Sequence, residues 1–557
     1  MSNMSKKSKK RIRYIVIILI ILAVITAALC AILTLRSKNN DEGQHETEQE
    51  STEQQQESEP ELPPEIETVP VASDDAVGEL HHALEIALSD TSGDMNDVVT
   101  SLSISAELGN SDAMYFLGEL YFQGIGVEAD LEAAATYLKQ ACDSGNRKAM
   151  SLYGKMLFMG DGTTQNYDES ASCFYTLSQE DGEACYILGV MSNLGMGVPR
   201  SAQRAIKYID QASEAGYEKA ESYRGKIVDI GRTVDGTKDF ALQAKKVQEL
   251  DYGAEYEALQ ECIDTYYNML KASEDYSAFE EEMTALLNVD LNGVSTVTLF
   301  GNNGYLFHQN ENDGTSLHDY IGDNHFSQKE LEEIAANLEK EKKWVEQNGS
   351  QFVLLLIPNK ETMYPEWMPS YISRADTTTR EDQLVEYLRE NTDINVVYVK
   401  DTLMQNKELC PLYYKTDTHT NMIGSLYIVS DLLSACYDVE ITPALDMFDI
   451  HMQDYVGDLG TTANCTSRYV DTVYFYPERS VDDAQKVKSS MMLVGDSFSE
   501  FINIETAYYM RGGVNHQMIA EYDYDYHSAT QAGFASESIK SEYVVWECVE
   551  RYLDRLK

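Results

Sequence analysis

The chain has 557 residues, an apolar fraction of 43% and a formal net charge of −50. Such a length exceeds one hydrophobic core, so we expect two or more folded domains. The negative charge argues against nucleic acid and anionic bilayer surfaces as partners, but it does not indicate a reaction.

The uncharged run from Tyr14 to Leu35 predicts a transmembrane helix. At about 1.5 Å per residue the run spans the ~30 Å apolar layer of a bilayer. The basic tail of residues 1–13 holds six cations, whereas only Arg36 and Lys38 follow closely, so we expect a cytoplasmic N-terminus. A cleaved signal peptide is the alternative, but the run is long for one and lacks a good cleavage site. The sequence therefore predicts a single-pass protein of the cell membrane whose bulk is extracytoplasmic.

Residues 36–78 are expected to form an acidic disordered linker. Positions 41–80 hold 14 acidic side chains and neither Lys nor Arg. A segment of this kind repels itself and cannot bury enough apolar surface to fold. We interpret it as a spacer between the membrane and the folded part.

Residues 79–230 contain an internal repeat. Gly118, Gly154 and Gly189 fall 36 and 35 residues apart, and GxG pairs such as Gly160/Gly162 keep the same step. A period of this length with helix–turn–helix content predicts an all-α solenoid. The segment resembles the SEL-one-like branch of the tetratricopeptide-type repeats, although the second unit reads GDGTTQN where the first reads GIGVEAD. The resemblance implies that the repeats recruit other envelope proteins.

Residues 231–290 are predicted to be a helical connector, because they look helical but lose the repeat register. From residue 291 to 557 apolar strand runs alternate with helices. The run Phe352–Pro358 and the run Met491–Val494 are typical of buried strands. This pattern predicts an α/β domain with a mostly parallel sheet.

Two short motifs carry candidate chemistry. GDSFS places Ser497 directly after an apolar strand, where a hydroxyl lies at the ligand-binding edge of such a sheet. TDTHTN sets Asp417 and His419 two residues apart, so the carboxylate can orient the imidazole towards a nucleophile. Taken singly, GDS is usually an ordinary turn, and the Asp and His are more often a cap and a surface residue.

Taken together with FGNNGYLF, IPNKETMYPEWMP, YVGDLG and YVVWECVER, these motifs resemble one family in the same order. It is the family of AlgJ/AlgX-like alginate O-acetyltransferases, which have SGNH-hydrolase-like domains. The resemblance implies that Ser497 is the nucleophile, His419 the general base and Asp417 the acid that orients it. Thr420 stands where the family's Asp-x-His-Trp-Asn pattern has Trp, so the resemblance does not indicate which polymer is the substrate.

Three further residues are candidates for substrate binding. Asn359 and Lys360 end a buried strand and can reach a substrate, with a purely structural role as the equal alternative. Asn421, which closes the TDTHTN motif, is the third. The histidines and cysteines show no metal-ligand spacing, so we expect no metal and no other cofactor.

The sequence therefore predicts a membrane-anchored, extracytoplasmic polysaccharide O-acetyltransferase or acetylesterase that uses a Ser-His-Asp triad. An extracytoplasmic enzyme has no access to cytoplasmic acetyl-CoA, so a transferase requires a multi-pass membrane acyltransferase that exports acetyl groups. Its substrate is a polysaccharide or wall glycan. The alternative is a non-catalytic cell-surface scaffold or glycan-binding protein, in which repeats and domain both only bind.

Overall fold

The computed structural model describes residues 74–89, 95–227, 241–247, 252, 257–273, 276–437, 441, 443, 451–465, 468–475, 486–519, 525–537 and 540–557. The predicted basic tail, transmembrane helix and nearly all of the acidic linker lie outside these ranges. Within the ranges, no helix is both long enough and apolar enough to cross a bilayer.

The first part of the described chain is a series of short helices, each packed against the next along the sequence. They are α1 (Asp74–Leu88), α2 (Met95–Glu107), α3 (Ser111–Gln123), α4 (Leu131–Asp143), α5 (Arg147–Met159), α6 (Tyr167–Leu177), α7 (Gly182–Leu194), α8 (Ala202–Glu214) and α9 (Lys219–Arg224). The helical repeat region predicted from the glycine period is thus confirmed.

The 36-residue period follows from how the helices begin and end. The Asn146 side chain accepts hydrogen bonds from two backbone N–H groups at the start of α5, and Gly160 ends that helix in the left-handed conformation with a φ of 75°. Gly162 is required for a second reason, since an added Cβ would lie 1.9 Å from the carbonyl oxygen of Leu131. Each turn therefore needs glycine both for its backbone conformation and for a close approach to the preceding repeat.

The connector contains two described helices, α10 (Glu257–Ser273) and α11 (Ser277–Ala285). Tyr266 of α10 packs edge-on against Phe116 of α3, with ring centroids 5.0 Å apart. Residues 241–247 are not helical, in contrast to the prediction. The reason is a set of contacts with the repeats: the Lys245 amide donates to Thr176 Oγ1 at 2.6 Å, and its ammonium group lies 3.4 Å from Glu169.

The α/β part of the chain begins at residue 291. Its helices are α12 (Leu291–Thr296), α13 (Ser316–Ile321), α14 (Gln328–Gln347), α15 (Lys360–Met363), α16 (Arg380–Asn391), α17 (Lys400–Asn406), α18 (Met422–Tyr437), α19 (Asp458–Thr462), α20 (Ser499–Tyr509) and α21 (Tyr526–Ser536). Its strands are β1 (Thr298–Phe300), β2 (Leu306–His308), β3 (Gln351–Ile357), β4 (Asn395–Tyr398), β5 (His451–Tyr455), β6 (Asp471–Phe475), β7 (Met491–Gly495), β8 (Val514–Met518) and β9 (Tyr543–Val549).

Five of the described strands form one sheet in the order β4-β3-β9-β7-β8, and every neighbouring pair is parallel. Residues 352–357 of β3 and all of β9 are buried, as expected for a sheet covered on both faces. The predicted parallel sheet is confirmed. Because all strands run the same way, Ile357, Gly495 and Val549 end at one edge, and the loops that follow them meet there.

The repeats and the α/β part share one continuous core. Phe300 and Leu306, from the antiparallel pair β1–β2, belong to the same buried cluster as the repeat side chains. The buried hydroxyls of Tyr167 and Tyr469 are hydrogen bonded to each other, and Tyr371 donates to the carbonyl oxygen of Gly195 at 3.1 Å. The repeat region therefore packs directly against the sheet domain and shares a hydrophobic core with it.

Candidate active site

Ser497 lies just beyond the carboxyl end of an interior strand of the sheet. β7 ends at Gly495 and α20 begins at Ser499, so Ser497 occupies the turn between them, and it is exposed. An added Cβ at Gly495 would lie 2.3 Å from the carboxyl oxygen Oε2 of Glu547. Glycine thus permits a sharp turn that leaves the hydroxyl open to solvent.

Asp496 holds this turn from the inside. It is 2% exposed, and its carboxylate accepts from the backbone N–H groups of Phe498 at 2.9 Å and Val549 at 3.3 Å. The Ser499 hydroxyl donates to the Asp496 carbonyl oxygen at 2.6 Å and lies 2.8 Å from His516 Nε2. These contacts give Asp496 a structural role beneath the exposed serine.

The structure brings the three predicted catalytic residues together. His419 Nε2 lies 2.8 Å from Ser497 Oγ, and His419 Nδ1 lies 2.6 Å from Asp417 Oδ1. A carboxylate can only accept, so Nδ1 carries the proton and Nε2 is left to accept the serine hydroxyl. The segment has no regular secondary structure. It is an irregular loop in which the His419 backbone N–H also donates to Asp417 Oδ1, at 3.1 Å.

The Asp417 carboxylate is stabilised in its charged form. Burial alone would raise its pKa, but the hydrogen bond and charge of His419 and the hydrogen bond from Tyr455 hold the pKa well below its usual range. The second oxygen accepts from the Tyr455 hydroxyl at 2.7 Å and from the Asp458 backbone N–H at 3.1 Å. Asp417 therefore remains an acceptor for the imidazole across the physiological pH range.

Tyr455 and Asp458 are site residues that the sequence reasoning did not single out. Tyr455 ends β5, and Asp458 accepts from the Thr418 backbone N–H at 2.9 Å and from the Thr418 hydroxyl at 2.7 Å. Both residues lie in YVGDLG, a segment recognised only for its place in the family order. A tyrosine and an acid close together in one short segment were the available signal, but their partners lie about 40 positions earlier in the chain.

The three candidates for substrate binding lie inside the domain. Lys360 is 2% exposed, and its ammonium group donates to the carbonyl oxygens of Tyr414, Lys415 and Asp417 at 3.2, 3.1 and 2.6 Å. Burial lowers the pKa of Lys360. These contacts favour the structural alternative and make Lys360 a support for the loop that carries Asp417 and His419.

Asn359 and Asn421 are likewise buried and bonded within the protein. Asn359 Nδ2 lies 3.2 Å from an Asp319 oxygen, and Asn359 Oδ1 accepts from the Arg551 backbone N–H at 3.2 Å. Asn421 donates to the Pro411 carbonyl oxygen at 2.7 Å and accepts from the Gly424 backbone N–H at 3.0 Å, at the start of α18. Both amide side chains therefore have internal partners where the sequence suggested a substrate.

One group among the described residues could hold a metal ion, formed by Asp417, His419 and Asp458, with potential ligand atoms within 4.8 Å of one another. Both oxygens of Asp458 already accept hydrogen bonds from Thr418, and Asp417 accepts from His419. The arrangement functions as a hydrogen-bond network around the imidazole.

Comparisons with known proteins agree with this description. Residues 298–509 match the family model described as SGNH hydrolase-like domain, acetyltransferase AlgX. Residues 111–146, 147–177 and 182–217 match the Sel1 repeat model. Among curated proteins, no relative matches this chain.

Similar solved structures exist for both parts of the chain. The O-acetyltransferase domain of Pseudomonas putida AlgJ is 19% identical, with a TM-score of 0.36, and the match covers 47% of this chain and 93% of that one. Pseudomonas aeruginosa AlgX is 15% identical, with a TM-score of 0.35 and coverage of 47% and 63%. A Sel1 repeat protein from Oxalobacter formigenes is 28% identical, with a TM-score of 0.22 and coverage of 24% and 39%.

All three triad residues and the YVGDLG segment lie inside the matched range 298–509, and the helices of the repeat region coincide with the matched repeats. The chain therefore combines Sel1 repeats with an SGNH hydrolase-like domain of the AlgX acetyltransferase type.

Proposed function

We propose that this protein is an extracytoplasmic O-acetyltransferase of a polysaccharide or wall glycan, with Ser497, His419 and Asp417 as its catalytic triad. The observation that carries the proposal is the chain of two short contacts, 2.8 Å from Ser497 Oγ to His419 Nε2 and 2.6 Å from His419 Nδ1 to Asp417 Oδ1. A binding module has no need of all three groups in this order.

The geometry supports a two-step acyl transfer. Ser497 Oγ attacks the carbonyl carbon of an acetyl donor while His419 Nε2 takes its proton, and collapse of the tetrahedral intermediate releases the donor's leaving group, which His419 protonates. The product of this half-reaction is an acetyl ester on Ser497. In the second half, His419 takes the proton of a sugar hydroxyl as its oxygen attacks the acetyl carbonyl carbon. Collapse of the intermediate breaks the bond between that carbon and Ser497 Oγ, and His419 returns the proton to Ser497.

The negative charge that develops on the carbonyl oxygen has a stabilising neighbour. Helix α20 begins at Ser499, two residues after the nucleophile. The N–H groups of Ser499 and Glu500 donate to the carbonyl oxygens of Asp496 and Ser497. The contribution of α20 is therefore its helix dipole, whose positive end favours negative charge near the nucleophile.

The location of the chain sets the requirement for partners. The N-terminal apolar run and its charge bias support a single membrane anchor with the enzyme outside the cytoplasm. An acetyl donor at that location requires a multi-pass membrane acyltransferase that exports acetyl groups. The repeats are the region proposed to contact this or another envelope protein.

The test uses the full-length protein with an acetyl ester and a glycan acceptor. Wild type should release the ester's leaving group, show an adduct with the mass of one acetyl group on Ser497, and transfer the group to the acceptor. Ser497→Ala should abolish all three signals, whereas Ser222→Ala, an exposed serine of α9, should retain them. Turnover that persists in Ser497→Ala would refute the mechanism, and release to water alone would identify an acetylesterase. Absence of every signal in folded wild type would favour the non-catalytic scaffold.

A further inference from the structure

The loop that carries the catalytic Asp417 and His419 has no regular secondary structure. Residues 414–419 are closed only at the base, by a single bridge between Tyr413 and Thr420. A loop of this kind depends on side chains from elsewhere for a fixed shape. Lys360 holds three of its carbonyl oxygens, as described above, and Asp471 accepts from the backbone N–H groups of Lys415 and Thr416 at 2.5 and 2.6 Å.

One side chain of the loop points away from the triad and reaches a second turn. Lys415 Nζ donates to the Asn303 carbonyl oxygen at 2.8 Å and lies 5.3 Å from the centroid of the Tyr305 ring. The Lys415 carbonyl oxygen accepts from the Leu306 backbone N–H at 2.8 Å. The catalytic loop is thus tied to the turn of residues 302–304 and to the strand β2 that follows it.

The turn of residues 302–304 is held in place by the second repeat. Gln165 accepts from the Asn303 backbone N–H through its carbonyl oxygen at 2.9 Å and from the Gly304 backbone N–H through its side chain at 3.0 Å. Asn302 accepts from the Tyr167 backbone N–H at 2.8 Å and donates to Asp168 at 2.9 Å. Asn303 has a φ of 55°, in the left-handed region that asparagine adopts more readily than most non-glycine residues, as is common in tight turns.

The residues that make these contacts are specific to one repeat. Gln165 lies in GDGTTQN, the turn that departs from the pattern of its neighbours. Ala129 and Arg200 are the equivalent residues in the neighbouring repeats. Each lies five residues after the corresponding glycine, Gly124 or Gly195, and its Cβ approaches that glycine as the Cβ of Gln165 approaches Gly160. The departure from the repeat pattern therefore coincides with the point of contact.

We propose that the second repeat is a working part of the catalytic site, with Lys415 as the positioning residue. Gln165 holds the turn of residues 302–304, and Lys415 transmits that restraint to the loop that presents Asp417 and His419 to Ser497. The proposal rests on the acyl transfer proposed above. It gives the repeats a role in the reaction itself, in addition to any contact with envelope proteins.

The test compares four variants of the full-length protein. Lys415→Met removes the ammonium group but keeps the length of the side chain, and Lys415→Arg restores a cationic donor. Gln165→Ala removes the side-chain contact from the repeat, and Thr164→Ala is a matched control at the exposed neighbouring position. Turnover of an acetyl ester is measured together with hydrogen exchange at the backbone amides of residues 414–419.

We expect Lys415→Met to lower kcat about tenfold or more with KM within about twofold of wild type, because a small misplacement of a catalytic group costs rate rather than binding. Lys415→Arg should recover most of the lost rate. Gln165→Ala should lower kcat in the same direction and by less, and Thr164→Ala should match wild type. Hydrogen exchange in the loop should accelerate in Lys415→Met and Gln165→Ala only.

Two results would overturn the proposal. One is wild-type kcat in folded Lys415→Met, and the other is unchanged exchange of the loop in Gln165→Ala. The exchange measurement separates this inference from the proposed function, since it reports on the loop even if the wild type shows no turnover. If Lys415→Met does not fold, Gln165→Ala alone decides, because its kcat and loop exchange must both change for the coupling to hold.

Discussion

Replacement of Asp417 by Asn is the most informative single change in the triad, because all four contacts of the carboxylate come from donors. One oxygen accepts from His419 Nδ1 and from the His419 backbone N–H, and the other accepts from the Tyr455 hydroxyl and the Asp458 backbone N–H. Asparagine offers one oxygen and one NH₂ group, so in either orientation a donor must face a donor. The side chain therefore cannot satisfy both sides of the site.

The imidazole is affected in the first orientation. An NH₂ group opposite His419 Nδ1 requires that nitrogen to accept, which moves the proton to Nε2 and leaves no acceptor for the Ser497 hydroxyl. In either orientation the NH₂ group also faces a backbone N–H, that of His419 in the first and that of Asp458 in the second, where the present distance is 3.1 Å. Each unmade buried hydrogen bond costs about 1–3 kcal/mol. The first orientation therefore selects the wrong tautomer, and both orientations weaken the contacts that hold the imidazole in place.

The expected loss is about 10⁴-fold in kcat, the size found when this tautomer is disturbed in another Ser-His-Asp enzyme, or about 5.5 kcal/mol in the activation free energy. Steady-state turnover of an acetyl ester measures it, with circular dichroism to verify the fold. Asp454→Asn, the same change at an exposed position of β5, is the matched control and should match wild type. A kcat for Asp417→Asn within about tenfold of wild type would refute the assigned roles of Asp417 and His419.

Three further changes test the site and the fold. Tyr455→Phe removes one hydrogen bond to Asp417 and should lower kcat about tenfold, which corresponds to about 1.4 kcal/mol, so a loss as large as that of Asp417→Asn would contradict a supporting role. Burial raises the pKa of Glu550 to about 7 from about 4.3 in an unfolded chain, so its contribution to stability is complete below pH 4.3 and is lost as the pH rises through 7. The free energy of unfolding, measured with urea at pH 5 and pH 7, should fall between these pH values by less in Glu550→Gln than in wild type, by up to about 1.4 kcal/mol per pH unit. An equal fall in variant and wild type would show that Glu550 does not titrate with a raised pKa. Gly162→Ala should lower the free energy of unfolding by about 3 kcal/mol, because its Cβ meets the Leu131 carbonyl oxygen at 1.9 Å, whereas Gly216→Ala has free space and should lose only about 1 kcal/mol to its positive φ. Equal melting temperatures for these two glycine variants would show that the close approach does not matter.

Local patterns account for most of what the sequence predicted. Helix caps and obligatory glycines recur at a fixed step, so the repeat region is visible as a period in residues such as Gly160 and Gly195. The strands β3 and β7 are continuous apolar runs because both faces of the sheet are covered. The strand-end placement of Ser497 and the Asp417–His419 spacing by themselves only make these residues candidates, and the resemblance to the family implies their roles.

Long-range contacts account for what the sequence did not predict. Lys360 looked like a substrate ligand because it follows a strand, yet the carbonyl oxygens that bury it lie more than 50 residues further along. Residues 241–247 have a helical composition, but contacts with Thr176 and Glu169 hold them out of a helix. Neither the carbonyl oxygens around Lys360 nor the contacts with Thr176 and Glu169 can be predicted from the local sequence pattern.

A solenoid whose repeats contact only one another would be separable from the domain that follows it. Since repeats contact only their neighbours, residues 291–557 would be expected to fold and act alone. The common core that joins Phe300 and Leu306 to the repeats means that this fragment would expose apolar surface normally covered by them.

The docking of the second repeat on the turn of residues 302–304 limits how this protein can diversify. In a repeat array each unit contacts only its neighbours, so an added unit disturbs only the contacts at the point of insertion. Here additional repeats before Asn110 would leave the contacts between the repeats and the sheet domain unchanged. A repeat inserted between Gln165 and Gly195 would displace either the contact of Gln165 with Gly304 or that of Gly195 with Tyr371. The array can therefore lengthen at its N-terminal end, whereas the number of repeats is fixed at the end that contacts the sheet domain.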